Sequence, residues 1–91
     1  MQFFTDFFEV SAEDLRIGLA HISLYTVLLS VCISDSCRLP IYLHREQIML
    51  RAKMSRRTYN KSLRALHEYG YITYVPSCDP RKKSMVYLNR L

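Results

Sequence analysis

"MSRRTYNKSLRALHEYGYITYV", residues 54–75, changes character at Gly70. Before the glycine, Tyr59, Leu63 and Leu66 recur at spacings of four and three, the period of a helix with one buried face. After it, "YITYV" mixes aromatic and β-branched residues and reads as a strand over 71–75. Ser55 is a good N-cap, and glycine is the natural residue for a left-handed C-terminal cap. The spacing predicts a helix over 55–69 that ends directly against a strand.

Working upstream, "REQIMLRA", residues 45–52, reads as a short helix burying Ile48, Met49 and Ala52. His44 stands at its cap position, where Ser or Asp is commoner. A tight turn would join it to the 55–69 helix. "IYL", residues 41–43, follows Pro40 and suits a short strand, and "SDSCRLP", residues 34–40, suits a loop. Before that, Ser11 and Asp14 have the spacing of a capping box, which predicts a helix from Ser11 to about Ser34. Gly18 or the His21–Ser23 region is its expected weak point. Leu24, Tyr25, Leu28, Val31 and Cys32 should face the core.

Downstream, "SMVYL", residues 84–88, has strand composition, and "PSCDPRKK", residues 76–83, is rich in turn formers. Together with residues 71–75 they predict a hairpin whose loop carries Arg81, Lys82 and Lys83. The first ten residues, "MQFFTDFFEV", hold Phe3, Phe4, Phe7 and Phe8 at spacings that line one side of a helical turn. Two readings stay open for this segment: packing on the domain's own core, or a surface for a second subunit, hence a homodimer. The expected organisation is an aromatic segment over 1–10 and one domain over 11–91.

The bulk composition agrees with a small folded domain. The chain has 91 residues, 49% of them hydrophobic and two of them glycine, with no low-complexity tract or repeat. Its net charge of +5 is unevenly placed. Residues 1–43 hold two arginines against five carboxylates, a net of −3, whereas residues 44–91 hold eleven Lys or Arg against three carboxylates, a net of +8. A basic half of this kind suits a polyanionic partner.

The order helix, short strand, helix, turn, helix, hairpin resembles a winged helix-turn-helix domain over roughly residues 22–89. "SRRTYNKSLRALHEYGYI" carries the resemblance with its Ser-Arg-x-Thr opening, spaced leucines and Gly-aromatic-Ile ending. "HISLYTVLL", "REQIM", "TYNKSLRALHEYGYI" and "YVPSCDP" are also similar to small winged-helix proteins of Bacteroidetes genomes and mobile elements, generally labelled regulators. The resemblance implies a mainly α fold with a small β-hairpin, a three-helix core plus wing, and double-stranded DNA as the partner. The phenylalanine-rich start departs from the general winged-helix pattern.

On a helical wheel, Arg57, Lys61 and Arg64 lie opposite the apolar side of the 55–69 helix, with Asn60 at the edge and Arg56 in the first turn. An α-helix fits the major groove of B-DNA, and its N-terminal residues reach base edges first. Arg56, Arg57 and Asn60 are the leading candidates for base contacts, since Arg pairs with guanine and Asn with adenine through two hydrogen bonds. Lys61 and Arg64 suit bases or phosphates. Ser55 and Thr58 can offer hydroxyls to the backbone, although Ser55 is also the expected cap. Arg45, Arg51 and Lys53 would position the module by phosphate contacts, and Arg81, Lys82 and Lys83 would reach the adjacent backbone or minor groove. Against this stands the ordinary reading of a Lys/Arg-rich face as solvated, with Arg64 and Glu68 spaced for an i, i+4 ion pair.

Other classes fare worse. There is no glycine-rich phosphate loop, nucleophile elbow or H-E-x-x-H, and Glu46, Glu68 and Asp79 are scattered, so an enzyme is not expected. Cys32, Cys37 and Cys78 have no C-x-x-C spacing and match no ligand spacing with His21, His44 or His67, so neither metal nor cofactor is expected. Reduced cysteines suit the cytoplasm, and a DNA binder there would be nucleoid-associated. Residues 17–33 are apolar but short and interrupted by polar groups, which suits a buried helix better than a membrane span. His67, Tyr59, Tyr69, Tyr71 and Tyr74 read as mostly structural. With three residues after the hairpin, no small-molecule effector is expected, and control would come from a partner, oligomerisation or expression level. The alternative function is a protein-interaction module of a replication or conjugation complex, motivated by the phenylalanines.

Overall fold

The computed structural model describes residues 2–34, 39–77, 79 and 82–89. Among the described residues are four helices, α1 (Gln2–Ala12), α2 (Leu19–Ser34), α3 (Arg45–Ala52) and α4 (Arg56–Glu68), and three strands, β1 (Ile41–Tyr42), β2 (Ile72–Val75) and β3 (Met85–Leu88). The protein is therefore mainly helical with a small antiparallel sheet.

α2 is the centre of the core. It buries Leu24, Tyr25, Val27, Leu28, Leu29 and Cys32. These residues point in several directions because α2 packs against α1, α3, α4 and β1 at once. A helix covered on most sides is apolar around most of its circumference, which is why its pattern gives little sense of a face.

The predicted helix from Ser11 to Ser34 is two helices. Ser11 lies in the last turn of α1 and is buried. Asp14 does not complete a capping box. It accepts hydrogen bonds from Arg16 N at 3.0 Å, Arg16 Nε at 2.9 Å and the Tyr71 hydroxyl at 2.8 Å. Those bonds hold residues 13–18 as a turn. α2 then starts after Gly18, whose N–H donates to His21 Nδ1 at 2.8 Å. A side chain three residues into a helix reaching back to the cap N–H is one half of a capping box, here built on histidine.

α1 is anchored by Phe7, which is wholly buried. Its ring stacks on Tyr25 with centroids 3.9 Å apart and planes 7° apart, and meets Tyr71 edge-on at 5.4 Å. Phe7 thus follows the core-packing alternative, while Phe8 stays 42% exposed. The side chains of Phe3 and Phe4 lie outside the described residues.

α4 forms as its sequence predicts. Ser55 Oγ accepts from Thr58 N at 3.2 Å, and Tyr59, Ser62, Leu63 and Leu66 are buried. At its other end Gly70 takes a φ of 85°. Gly70 N donates to His67 O at 3.1 Å and Tyr71 N to Leu66 O at 3.0 Å. This is a Schellman cap, with Tyr71 and Leu66 both buried where the motif brings them together. The same pair of bonds closes α3, where Met54 N donates to Met49 O at 3.2 Å. There the left-handed position is filled by Lys53 at φ 57°, without glycine's freedom. His44 makes no side-chain cap to α3.

The sheet has the order β1-β3-β2, all antiparallel. β2 and β3 are the expected hairpin, and β1 adds a third strand on the far side of β3. Ile41 and Tyr74 both oppose Val86, while Tyr42 and Val75 both oppose Met85. Because side chains alternate, Ile41, Val86, Leu88 and Ile72 face the helices and are buried. Tyr42, Met85, Val75, Tyr87 and Thr73 share the other face.

Candidate nucleic-acid interface

α4 is positioned by its buried side. Tyr59, Leu63 and Leu66 turn inward, so Arg57, Asn60, Lys61 and Arg64 turn outward and are exposed. These four residues line one open depression, which continues to Glu68 and Tyr69. A second groove lies between α4 and the β2–β3 loop, and there Arg45, Asn60, Lys82 and Lys83 come together over Tyr59 and Tyr74. Asn60 belongs to both. Basic groups from the start of α3, from α4 and from the hairpin therefore border a continuous surface that runs past one asparagine.

The cations on α4 are unspent. Among the described residues the ion pairs are Arg16–Asp14 at 2.9 Å and Arg45–Glu46 at 3.7 Å, so Arg56, Arg57, Lys61 and Arg64 take part in none. The i, i+4 pair between Arg64 and Glu68 is not formed. Free guanidinium and ammonium groups on one rigid helix keep their donors available for an anion.

The remaining candidates divide by position. Arg56 and Arg51 are exposed outside these two depressions. Lys53 lines a separate notch with Glu46, Met49, Leu50 and Met54. Ser55 and Thr58 use their hydroxyls on each other, with Ser55 Oγ donating to Thr58 Oγ1 at 3.1 Å. Arg81 lies outside the described residues. Lys83 Nζ stands 2.8 Å from His44 Nδ1, which ties the hairpin to the start of α3. A donating ammonium there requires an unprotonated Nδ1. His67 has a similar joining role, its Nδ1 accepting from Tyr74 N at 3.0 Å.

Glu68, expected beside Arg64, adds a carboxylate to the α4 depression. Sequence reasoning missed two neighbours. Asp79 adds a carboxylate to the groove beside the hairpin. Arg16, from the α1–α2 turn, lies 4.2 Å over the Tyr69 ring and so borders the α4 surface. No local pattern marks Arg16 as a neighbour of α4, because the Tyr69 ring it covers is distant in the chain.

The electrostatics of this border are distinct. The hydrogen bond from the Arg16 guanidinium holds the Asp14 carboxyl well below the usual carboxylate range, and Asp14 in turn raises Arg16. Burial pushes the Tyr71 hydroxyl up to about 12, with its bond to Asp14 adding to the effect. Burial, and then the Lys61 ammonium, push His21 below its ordinary value. Among the described residues no three His, Cys, Asp or Glu side chains gather as a metal site, and no helix is long and apolar enough to cross a membrane.

No family model matches the chain, and neither a curated protein nor a solved structure shows significant similarity to it.

Proposed function

We propose that this protein is a winged helix-turn-helix protein that binds double-stranded DNA sequence-specifically, as a transcriptional regulator or a mobile-element accessory factor. α4 enters the major groove with Arg57 and Asn60 against base edges, joined by Arg56 at its start. Lys61 and Arg64 follow along the groove. Arg45, Lys82 and Lys83 hold the flanking backbone, and the protein is nucleoid-associated in the cytoplasm. The observation that carries this reading is the meeting of α3, α4 and hairpin cations around Asn60 on one exposed surface. Phosphate contacts fix register, and base contacts supply sequence preference.

The test is a salt titration of duplex binding by fluorescence anisotropy. Neutralising about six phosphates gives a slope of log K against log salt near −5. A slope near zero removes the backbone-contact model.

A second reading, a protein-interaction module or homodimer, draws on Val10, Leu15 and Leu19, which are 42%, 99% and 85% exposed around the α1–α2 turn. Light scattering on the wild type and on Leu15→Lys/Leu19→Lys tests it. A concentration-dependent dimer lost in the variant supports it, and a monomer in both removes the homodimer.

A further inference from the structure

The outer face of the sheet presents two aromatic rings that the fold does not use. Tyr42 is 55% exposed and Tyr87 is 38% exposed, while their strand neighbours Ile41, Val86 and Leu88 are buried. Among the described residues, neither tyrosine ring makes a hydrogen bond or a ring contact. Tyr42 opposes Met85, and Tyr87 stands two residues further along β3 on the same face. Such diagonal neighbours are about 7–8 Å apart, so the two rings flank one strip of sheet.

The strip is bordered by positive charge. Tyr42, Val75 and Met85 line a depression that ends at Lys82 and Lys83, with no carboxylate among its described lining residues. The same two lysines line the groove beside α4. They stand on the ridge between the helix surface and the sheet surface and can serve either side.

Flat aromatic rings beside lysines match a strand that offers open base faces and phosphates. A duplex keeps its base faces stacked and cannot use the rings. A second copy of this chain would bring the lysines of two chains of net charge +5 to one interface, and like charges oppose that.

We propose that this face binds single-stranded DNA, with successive bases on Tyr42 and Tyr87 and the backbone on Lys82 and Lys83. The site does not depend on the duplex reading of α4.

The experiment measures the full-length protein by anisotropy on labelled oligo-dT of about 12 nucleotides, within the span of a small stacking platform, and in parallel on a blunt duplex. Each of Tyr42→Ala and Tyr87→Ala is expected to weaken oligo-dT binding about tenfold or more, the worth of one stacked base. Duplex affinity stays unchanged. Tyr42→Phe and Tyr87→Phe keep the ring and retain oligo-dT binding, and they carry the test if an alanine variant melts early. Arg57→Ala is expected to weaken binding of the preferred duplex about tenfold or more and to keep oligo-dT binding, which separates the two sites. Absence of oligo-dT binding by the wild type overturns the proposal. So does oligo-dT binding that depends on Lys82 and Lys83 but not on either ring. Oligo-dT binding that depends on the rings, in a protein that never binds duplex, upholds this proposal and removes the α4 reading alone.

Discussion

The Tyr71 hydroxyl donates to the Asp14 carboxylate at 2.8 Å, joining the residue after the α4 cap to the turn between α1 and α2. Arg16 grips the same carboxylate and lies over Tyr69, so the α1–α2 turn is tied to both sides of the Gly70 cap. A carboxyl held below its unfolded value stabilises the fold above about pH 4 and loses that contribution as pH falls further. Thermal melts followed by circular dichroism between about pH 6 and pH 2 should show stability falling at the acid end. Asp14→Asn should be less stable at neutral pH and show a flatter acid limb. An identical acid limb in both proteins would place the acid sensitivity elsewhere.

Gly70 has a φ of 85°, and a Cβ added there meets nothing within 4 Å. The cost of Gly70→Ala is therefore backbone strain without a clash, about 1–2 kcal/mol. Urea denaturation should show that loss with an unchanged slope.

Lys53 occupies the equivalent left-handed position after α3. Lys53→Gly should relieve strain and raise stability by about 0.5–1 kcal/mol. It also removes a cation whose place in the sequence suits a phosphate contact, so duplex affinity should fall at low salt. Urea denaturation and anisotropy on one variant would thus move in opposite directions.

Arg57 and Lys82 are assigned different duties on DNA. Arg57→Ala should cost about 1–3 kcal/mol on the preferred site and flatten the preference among sequences. Lys82→Ala should weaken all duplexes alike and reduce the salt slope by about one. Equal losses across sequences for both variants would refute the division.

What could be read from the chain alone was what is decided locally. The Ser55 cap, the spacing of Tyr59, Leu63 and Leu66, and the Gly70 ending lie within one short run, and α4 follows them. The break between α1 and α2 depends on Asp14 meeting Tyr71, far along the chain, so Ser11 was misread as a cap. β1 joins β3 through a register that no local pattern specifies. The exposed side of α4 was legible from its wheel. That Asn60 belongs to two grooves emerges when the hairpin is placed beside it. Tyr42 and Tyr87 carried no signal, since a two-residue strand shows no alternation and the facing of β3 is set by β1 and the helices.

The closure at Gly70 and Tyr71 leaves no slack between α4 and β2. Helix and hairpin consequently form a caliper whose gap is preset at the cap. A ligand reaching from one jaw to the other must match that gap or deform to fit it, which makes the stiffness of the ligand itself a criterion of selection.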